Sequence, residues 1–413
     1  MSRPISRILF ASPHCLIDFS SGAAIATCDA LELLARSGFD CRAFCASKVD
    51  RADDTNFEQL LADLQIPVQV QQRPVGPYVA RLLWARKGSI PVTVFRTAST
   101  VVAQWSPEEF QVFLAALEQS FDDIKPDLLL TYGGDLAAQA VMELAKRSGI
   151  TVVFGLHNFG YEDVRVFRNV DYVVVPSEFA KSYYSERLGL ACQVLPYAID
   201  WSRVTVERRT PQYVTFVNPQ PAKGVFVFAR IAEQLARRRP DIPLLVVESR
   251  GAASWLEQTG LDLSWATNLN AMEHTHDPRD FYAVTKLLLV PSLWNESFGL
   301  VAAEAMINGI PVLASNRGAL AEIVSDAGFQ FDIPARYTPE TALVPMAEEV
   351  EPWVETIIRL WDDKDLYQQR SERAVAHAQR AKGLISTSTS TMGCPISFRP
   401  ICVPVRGGRS TRT

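Results

Sequence analysis

The chain has 413 residues, 48% hydrophobic, 10% aromatic and 21% charged, which excludes a disordered or fibrous protein and gives more chain than one core usually organises, so two domains are expected. Its net charge of -5 argues against nucleic acid as the main partner, because phosphate neutralisation needs a basic surface; an anionic ligand therefore requires a local site. No run approaches the roughly 20 apolar residues of a bilayer span, and Met1-Ser2-Arg3-Pro4-Ile5 enters a strand-like segment without the apolar core of a signal sequence, so the cytoplasm is the expected location.

In chain order, short β-branched runs alternate with amphipathic segments to about residue 330, the pattern of parallel sheets wrapped by helices, so the fold class is α/β. Arg7 to Ala11, Cys41 to Cys45, Leu128 to Thr131, Val152 to Leu156 and Tyr172 to Val175 read as buried strands. Ala24 to Arg36 reads as a helix stopped at Gly38, and Ser106-Pro107-Glu108-Glu109 as a capped helix start. Arg81, Arg86, Lys87 and Arg96 interleave with Leu82, Leu83, Trp84 and Phe95, read as a solvated charged face, with peripheral membrane contact as the alternative. After Leu195 to Asp200 and a polar stretch the pattern restarts, with strands at Tyr213 to Val217, Leu244 to Val247, Leu287 to Val290 and Val312 to Ala314 and helices at Val225 to Arg238 and Phe298 to Ile307. The domain joint is placed near residue 200, giving doubly wound domains at 1–200 and 201–382 whose strand ends face a cleft. Residues 383–413, with an alternating Ser-Thr run, four arginines and no acidic residue, read as an atypical disordered tail or the product of a shifted reading frame. The seven cysteines are scattered and show neither a disulfide framework nor zinc spacing.

The segment Pro291-Ser292-Leu293-Trp294-Asn295-Glu296-Ser297-Phe298-Gly299-Leu300 through Glu304 to Pro311-Val312 is the most informative. A strand ends at Pro291, and Ser297-Phe298-Gly299 opens a helix whose free N–H groups and dipole suit a phosphate. Gly299 lets a ligand approach the backbone. Glu296 in the loop and Glu304 about two turns into the helix place carboxylates on either side of that site, a spacing suited to a ligand with hydroxyls at both ends and phosphates between.

This segment resembles the Glu-x7-Glu motif of retaining glycosyltransferases with two facing Rossmann-like domains, the GT-B type, in particular family 4, also called group 1. The context of Pro-Ser before, Phe-Gly-Leu between, Glu-Ala-Met after, then Gly-Ile-Pro-Val and Arg317 to Glu322, makes the likeness specific. It implies an acceptor-binding first domain, a nucleotide-sugar-binding second domain, Glu296 on the donor sugar, Glu304 on the ribose hydroxyls, and donor contacts at Ser297, Phe298, Gly299 and Leu300. It also implies retention of configuration, with no bound metal and no cofactor beyond the nucleotide-diphosphate sugar itself, uridine being the commoner base.

Asn218-Pro219-Gln220-Pro221-Ala222-Lys223-Gly224 follows the first strand of the second domain; Lys223 offers a compact charge to the diphosphate. Relatives usually carry Gly-Arg where Asn218-Pro219 stands, so one phosphate cation is missing, lowering donor affinity unless another arginine substitutes. Gly22, in Ser20-Ser21-Gly22-Ala23-Ala24, resembles the loop that closes over the donor from the first domain. His157, after the strand ending at Leu156, is expected at the cleft edge near the sugar, where the family often has His-Asp rather than this chain's His157-Asn158. Glu273-His274-Thr275-His276-Asp277 imitates a metal cluster but leads into a helix start, so no metal is expected there; Gly133-Gly134-Asp135 reads as a turn into a helix. The acceptor, a saccharide, lipid-linked saccharide or small molecule, would meet first-domain loops including Gln72 to Gln104. Two rivals remain open: a nucleotide-sugar 2-epimerase-like enzyme on the same plan, and a non-catalytic nucleotide-sugar-binding partner protein.

Overall fold

A computed structural model describes residues 5–51 and 53–390, with side chains to Lys382. Among the described residues the first sheet contains β1 (Arg7–His14), β2 (Asp40–Lys48), β3 (Gln69–Val75), β4 (Tyr78–Lys87), β5 (Ile90–Phe95), β6 (Leu128–Thr131), β7 (Thr151–Gly155), β8 (Tyr172–Val175) and β9 (Cys192–Val194), in the order β3-β4-β5-β2-β1-β6-β7-β8-β9. The second contains β10 (Tyr213–Val217), β11 (Leu244–Val247), β12 (Leu269–Met272), β13 (Thr285–Val290), β14 (Val312–Ser315) and β15 (Phe329–Phe331), in the order β12-β11-β10-β13-β14-β15. The second sheet is parallel throughout. In each sheet the strand order reverses direction beside the first strand, β1 or β10, leaving a crevice at the strands' carboxyl ends.

Both faces of each sheet are covered, which is why the strands read as unbroken apolar runs. Phe10, Phe44, Phe113 and Phe154 pack into the first unit, and Phe216, Phe226, Trp353 and Leu313 into the second. Trp353, fully buried, stacks on Phe331 at 4.3 Å; burial of a side chain this large contributes about 1.5–3 kcal/mol.

Two sequence expectations change. Residues 72–104, read as loops, are largely β3 to β5, an antiparallel meander on the edge of an otherwise parallel sheet. Its two-residue turns begin at Gly76 (φ 56°) and Gly88 (φ 57°), the positive-φ positions such hairpins need. The backbone helix Lys364–Ser390 continues past Gly383; the remainder of the expected tail, 391–413, lies outside the described residues. The interleaved basic residues are partly answered locally: Arg96 Nε donates to Glu58 Oε1 at 2.9 Å and Arg81 lies 3.5 Å from the same oxygen, while Leu82 and Leu83 are buried on opposite faces. Among the described residues no helix is long and apolar enough to cross a membrane.

Candidate functional site

The loops after β10 and β13 meet at a backbone junction. The Ala222 carbonyl accepts from Leu293 N at 3.0 Å and Trp294 N at 2.9 Å. Gly224 sits at φ 86°, and a Cβ there would lie 1.9 Å from the Pro291 carbonyl oxygen, so only glycine permits this approach. The junction brings Lys223 beside Glu296: Lys223 Nζ donates to Glu296 Oε1 at 2.6 Å, and Ser292 Oγ donates to the same oxygen at 2.9 Å. Both side chains are mostly buried yet retain some exposure, 27% for Lys223 and 14% for Glu296, as groups meeting a ligand from one side require.

The helix that follows is Leu300–Ile307, two residues later than the sequence suggests, with Gly299 as its cap at φ 95°. A Cβ on Gly299 would press within 2.7 Å of Leu320 Cδ2. Among the described residues, the N–H groups of Phe298, Gly299, Leu300 and Val301 have no acceptor, leaving the positive helix end available to an anion.

The first unit closes over this end. Ser177 Oγ donates to the Ser297 carbonyl at 2.8 Å, and Ser297 Oγ donates to the His157 carbonyl at 2.6 Å. Gly22 opens the helix Gly22–Arg36 directly across from Leu300, whose Cδ1 would lie 3.8 Å from a Cβ at that position. Glu322 adds a further tie, accepting from Glu178 N and Phe179 N at 3.3 Å each, at the start of the helix Glu178–Leu188.

His157 lies one side chain away from Glu296. Its Nδ1 is 2.7 Å from Tyr197 Oη; the Tyr197 ring packs on Phe298 at 4.9 Å, and the Glu296 charge acts on the Tyr197 phenol. Burial of the imidazole pushes its pKa down to about 4, so it is neutral near pH 7. Burial raises the Tyr197 phenol, which therefore stays protonated. Tyr197 was visible only as part of the stretch preceding the joint; no local pattern marks it as a partner of His157, 40 residues earlier.

Two donor-site expectations take a different form. Asn218 adopts φ 64° and its Oδ1 accepts from Gly251 N at 2.9 Å, so its side chain braces the loop after β11. Glu304 is buried, and both carboxylate oxygens are taken: Oε1 accepts from Arg203 Nη2 at 2.8 Å and Oε2 from Tyr282 Oη at 3.0 Å. Burial raises the Glu304 pKa, opposed by Arg203. Arg203, on the short helix Trp201–Val204, also reaches Asp29 Oδ2 of the first unit at 3.2 Å.

The remaining motifs resolve into structural parts. Asp135 caps the helix Leu136–Arg147 by accepting from Ala138 N at 2.9 Å, and its other oxygen lies 3.4 Å from His14 Nε2. This His14–Asp135 pair at the carboxyl ends of β1 and β6 had no sequence signal. His274 and His276 flank Phe19 of the first unit, with ring centroids at 5.2 and 4.3 Å. No group of metal-ligating side chains is gathered among the described residues.

Residues 200–377 match the family model described as glycosyl transferases group 1. D-inositol 3-phosphate glycosyltransferase of Nocardia farcinica is 31% identical over 188 residues, 42% of this chain and 39% of that protein. Lipopolysaccharide 1,2-N-acetylglucosaminetransferase of Salmonella typhimurium is 28% identical over 181 residues, 37% of this chain and 46% of its own length. The matched region thus spans less than half of either relative. Among solved structures, Anabaena Alr3699/HepE in complex with UDP and glucose superposes with a TM-score of 0.63 at 17% identity, covering 94% of this chain and 99% of that one. A glycosyltransferase from Rickettsia africae gives 0.66 at 14% identity, covering 94% and 98%. The two facing Rossmann-like sheets thus have the GT-B fold of these neighbours, and residues 200–377, with the Glu296–Glu304 segment among them, are similar to the glycosyl transferases group 1 family.

Proposed function

We propose that this protein is a glycosyltransferase that takes a sugar from a nucleotide-diphosphate sugar, with UDP as the nucleotide, and passes it to a hydroxyl-bearing acceptor with retention of anomeric configuration and without a metal. One observation carries the reading: Lys223 Nζ is held 2.6 Å from Glu296 Oε1 beside the acceptor-free N–H groups that open the Leu300–Ile307 helix, with Gly22 facing them from the other unit. As the bond from the anomeric carbon to the diphosphate lengthens, negative charge grows on the leaving phosphate; Lys223 and the helix end offset it without reorganising. Positive charge grows on the sugar ring, next to the Glu296 carboxylate.

Glu296 is fixed by Lys223 and Ser292 from one side, an arrangement suited to orienting sugar hydroxyls. Front-face attack within a short-lived ion pair, the leaving phosphate receiving the acceptor proton, is the economical route to retention. Neutral His157, held by Tyr197, supplies a polar wall for the sugar without adding a charge.

The UDP-complexed structural neighbour and the sugar-transferring relatives support the choice of donor. The test is a panel of nucleotide sugars scored by thermal shift, since a native-state ligand raises stability, followed by product analysis. Sugar transfer or donor hydrolysis with release of free nucleoside diphosphate supports the reading; an epimerised sugar without release, or binding with no turnover toward any acceptor, removes it.

A further inference from the structure

Away from the cleft, the helix Lys364–Ser390 turns one face toward the second sheet and another toward a small cavity. Ser371 Oγ donates to the Gly309 carbonyl at 2.6 Å, and Ala374 and Ala378 pack with Met306 of the donor-site helix. The other face carries Arg370, Arg373, His377 and Arg380, spaced to lie along one side of the helix. Beside it is a half-open cavity of about 130 Å³ lined by Asp326, Ala327, Arg373, Ala376 and Arg380.

Charge around this cavity is unbalanced. Asp326 Oδ2 accepts from Arg373 Nη2 at 2.6 Å. The same Asp326 is the acidic group acting on Arg370, against the like charges of Arg373 and Arg359. Arg370 spreads its guanidinium over Phe329 at 4.6 Å and reaches the Asp326 carbonyl at 3.4 Å, while its buried Nε has no partner among the described groups. Arg380 is exposed, and its positive charge acts on His377. One carboxylate, Asp326, thus stands among the guanidinium groups of Arg370, Arg373 and Arg380.

We propose that this cavity binds a small tetrahedral oxyanion, inorganic phosphate or the phosphate of a monoester, between Arg373 and Arg380 with Arg370 behind them. Size selects the class: the space is comparable with the roughly 150 Å³ cavities that hold a benzene-sized molecule and well below the roughly 300 Å³ at which pockets for larger ligands begin. Guanidinium forks match phosphate oxygens bidentately. The bound charge relieves repulsion that Asp326 alone leaves in place.

Phosphate also suits the donor site, so the test uses the full chain carrying Lys223→Gln to weaken that second locus. Thermal unfolding and ³¹P line broadening are followed with inorganic phosphate against sodium chloride at equal ionic strength. Phosphate-specific stabilisation that weakens at least tenfold in midpoint concentration on adding Arg380→Gln, or Arg373→Gln with Arg380→Gln, is expected. Both residues are exposed, and Arg380→Gln alone leaves the Arg373–Asp326 pair intact should the double variant fold poorly. Unchanged affinity in Arg380→Gln and in the double variant, or no effect beyond sodium chloride, overturns the proposal. Methyl phosphate binding as tightly as phosphate identifies a monoester as the occupant, and markedly weaker binding identifies the free ion.

Discussion

Arg203 Nη2 donates to Glu304 Oε1 at 2.8 Å and, at 3.2 Å, to Asp29 Oδ2, so one guanidinium on the connecting helix joins a carboxylate from each unit. The burial of Glu304 gives this link its weight. With Arg203 in place part of the desolvation of this carboxylate is offset, and without its cation it is left as an uncompensated buried charge.

Arg203→Met is therefore expected to destabilise the protein by about 3–5 kcal/mol, read as a lowered midpoint in urea. Adding Glu304→Leu to Arg203→Met should recover a large part of that loss. If the double variant is as unstable as the sum of the single ones, the coupling assigned to this pair is absent.

At the donor site, Glu296→Gln keeps the shape of the side chain but removes the charge that holds Lys223. Turnover of a competent nucleotide sugar is expected to fall by about 10²–10³-fold, while UDP binding, measured calorimetrically, changes far less. Equal turnover in the variant would refute the role of Glu296.

The loop junction makes a backbone prediction. Gly224→Ala places a methyl group against the Pro291 carbonyl at a positive φ, a strain of about 1–3 kcal/mol before any clash is counted. A Tm lowered by several degrees, with UDP affinity reduced because Lys223 is displaced, is the expected outcome; wild-type values for both would show that the junction does not position Lys223.

His157 gives a pH dependence whose sign follows from burial. Its folded pKa, about 4, lies below the ordinary 6.5, so the unfolded chain takes up the proton first as pH falls. The stability linked to the neutral ring is present above pH 6.5 and is lost between about 6.5 and 4, by roughly 2 kcal/mol for a ring that is not wholly enclosed. Urea midpoints across this window should fall less steeply in His157→Gln than in the parent. Parallel curves would place the imidazole in solvent.

Much of the architecture was legible because it is written in local periodicity. Tyr213 to Val217 and Leu244 to Val247 are strands at the bounds read from the sequence, and the helix Val225–Arg238 likewise. The β3–β5 meander was not seen, since its exposed alternating residues and interleaved arginines resemble a loop; the Gly76-Pro77 and Gly88-Ser89 turns were the available signal.

The same division runs through the site. The sequence by itself determined two doubly wound units and the loop–helix segment holding Glu296 and Gly299, because strand and helix periods and a glycine's backbone freedom are properties of neighbouring residues. Only tertiary structure decided the partners. Lys223 meets Glu296 across 73 residues, Arg203 meets Glu304 across 101, and Ser297 meets His157 across 140. Such pairings arise where packed strands and helices bring remote loops to one edge, and no local repeat encodes which side chain will satisfy a buried charge there.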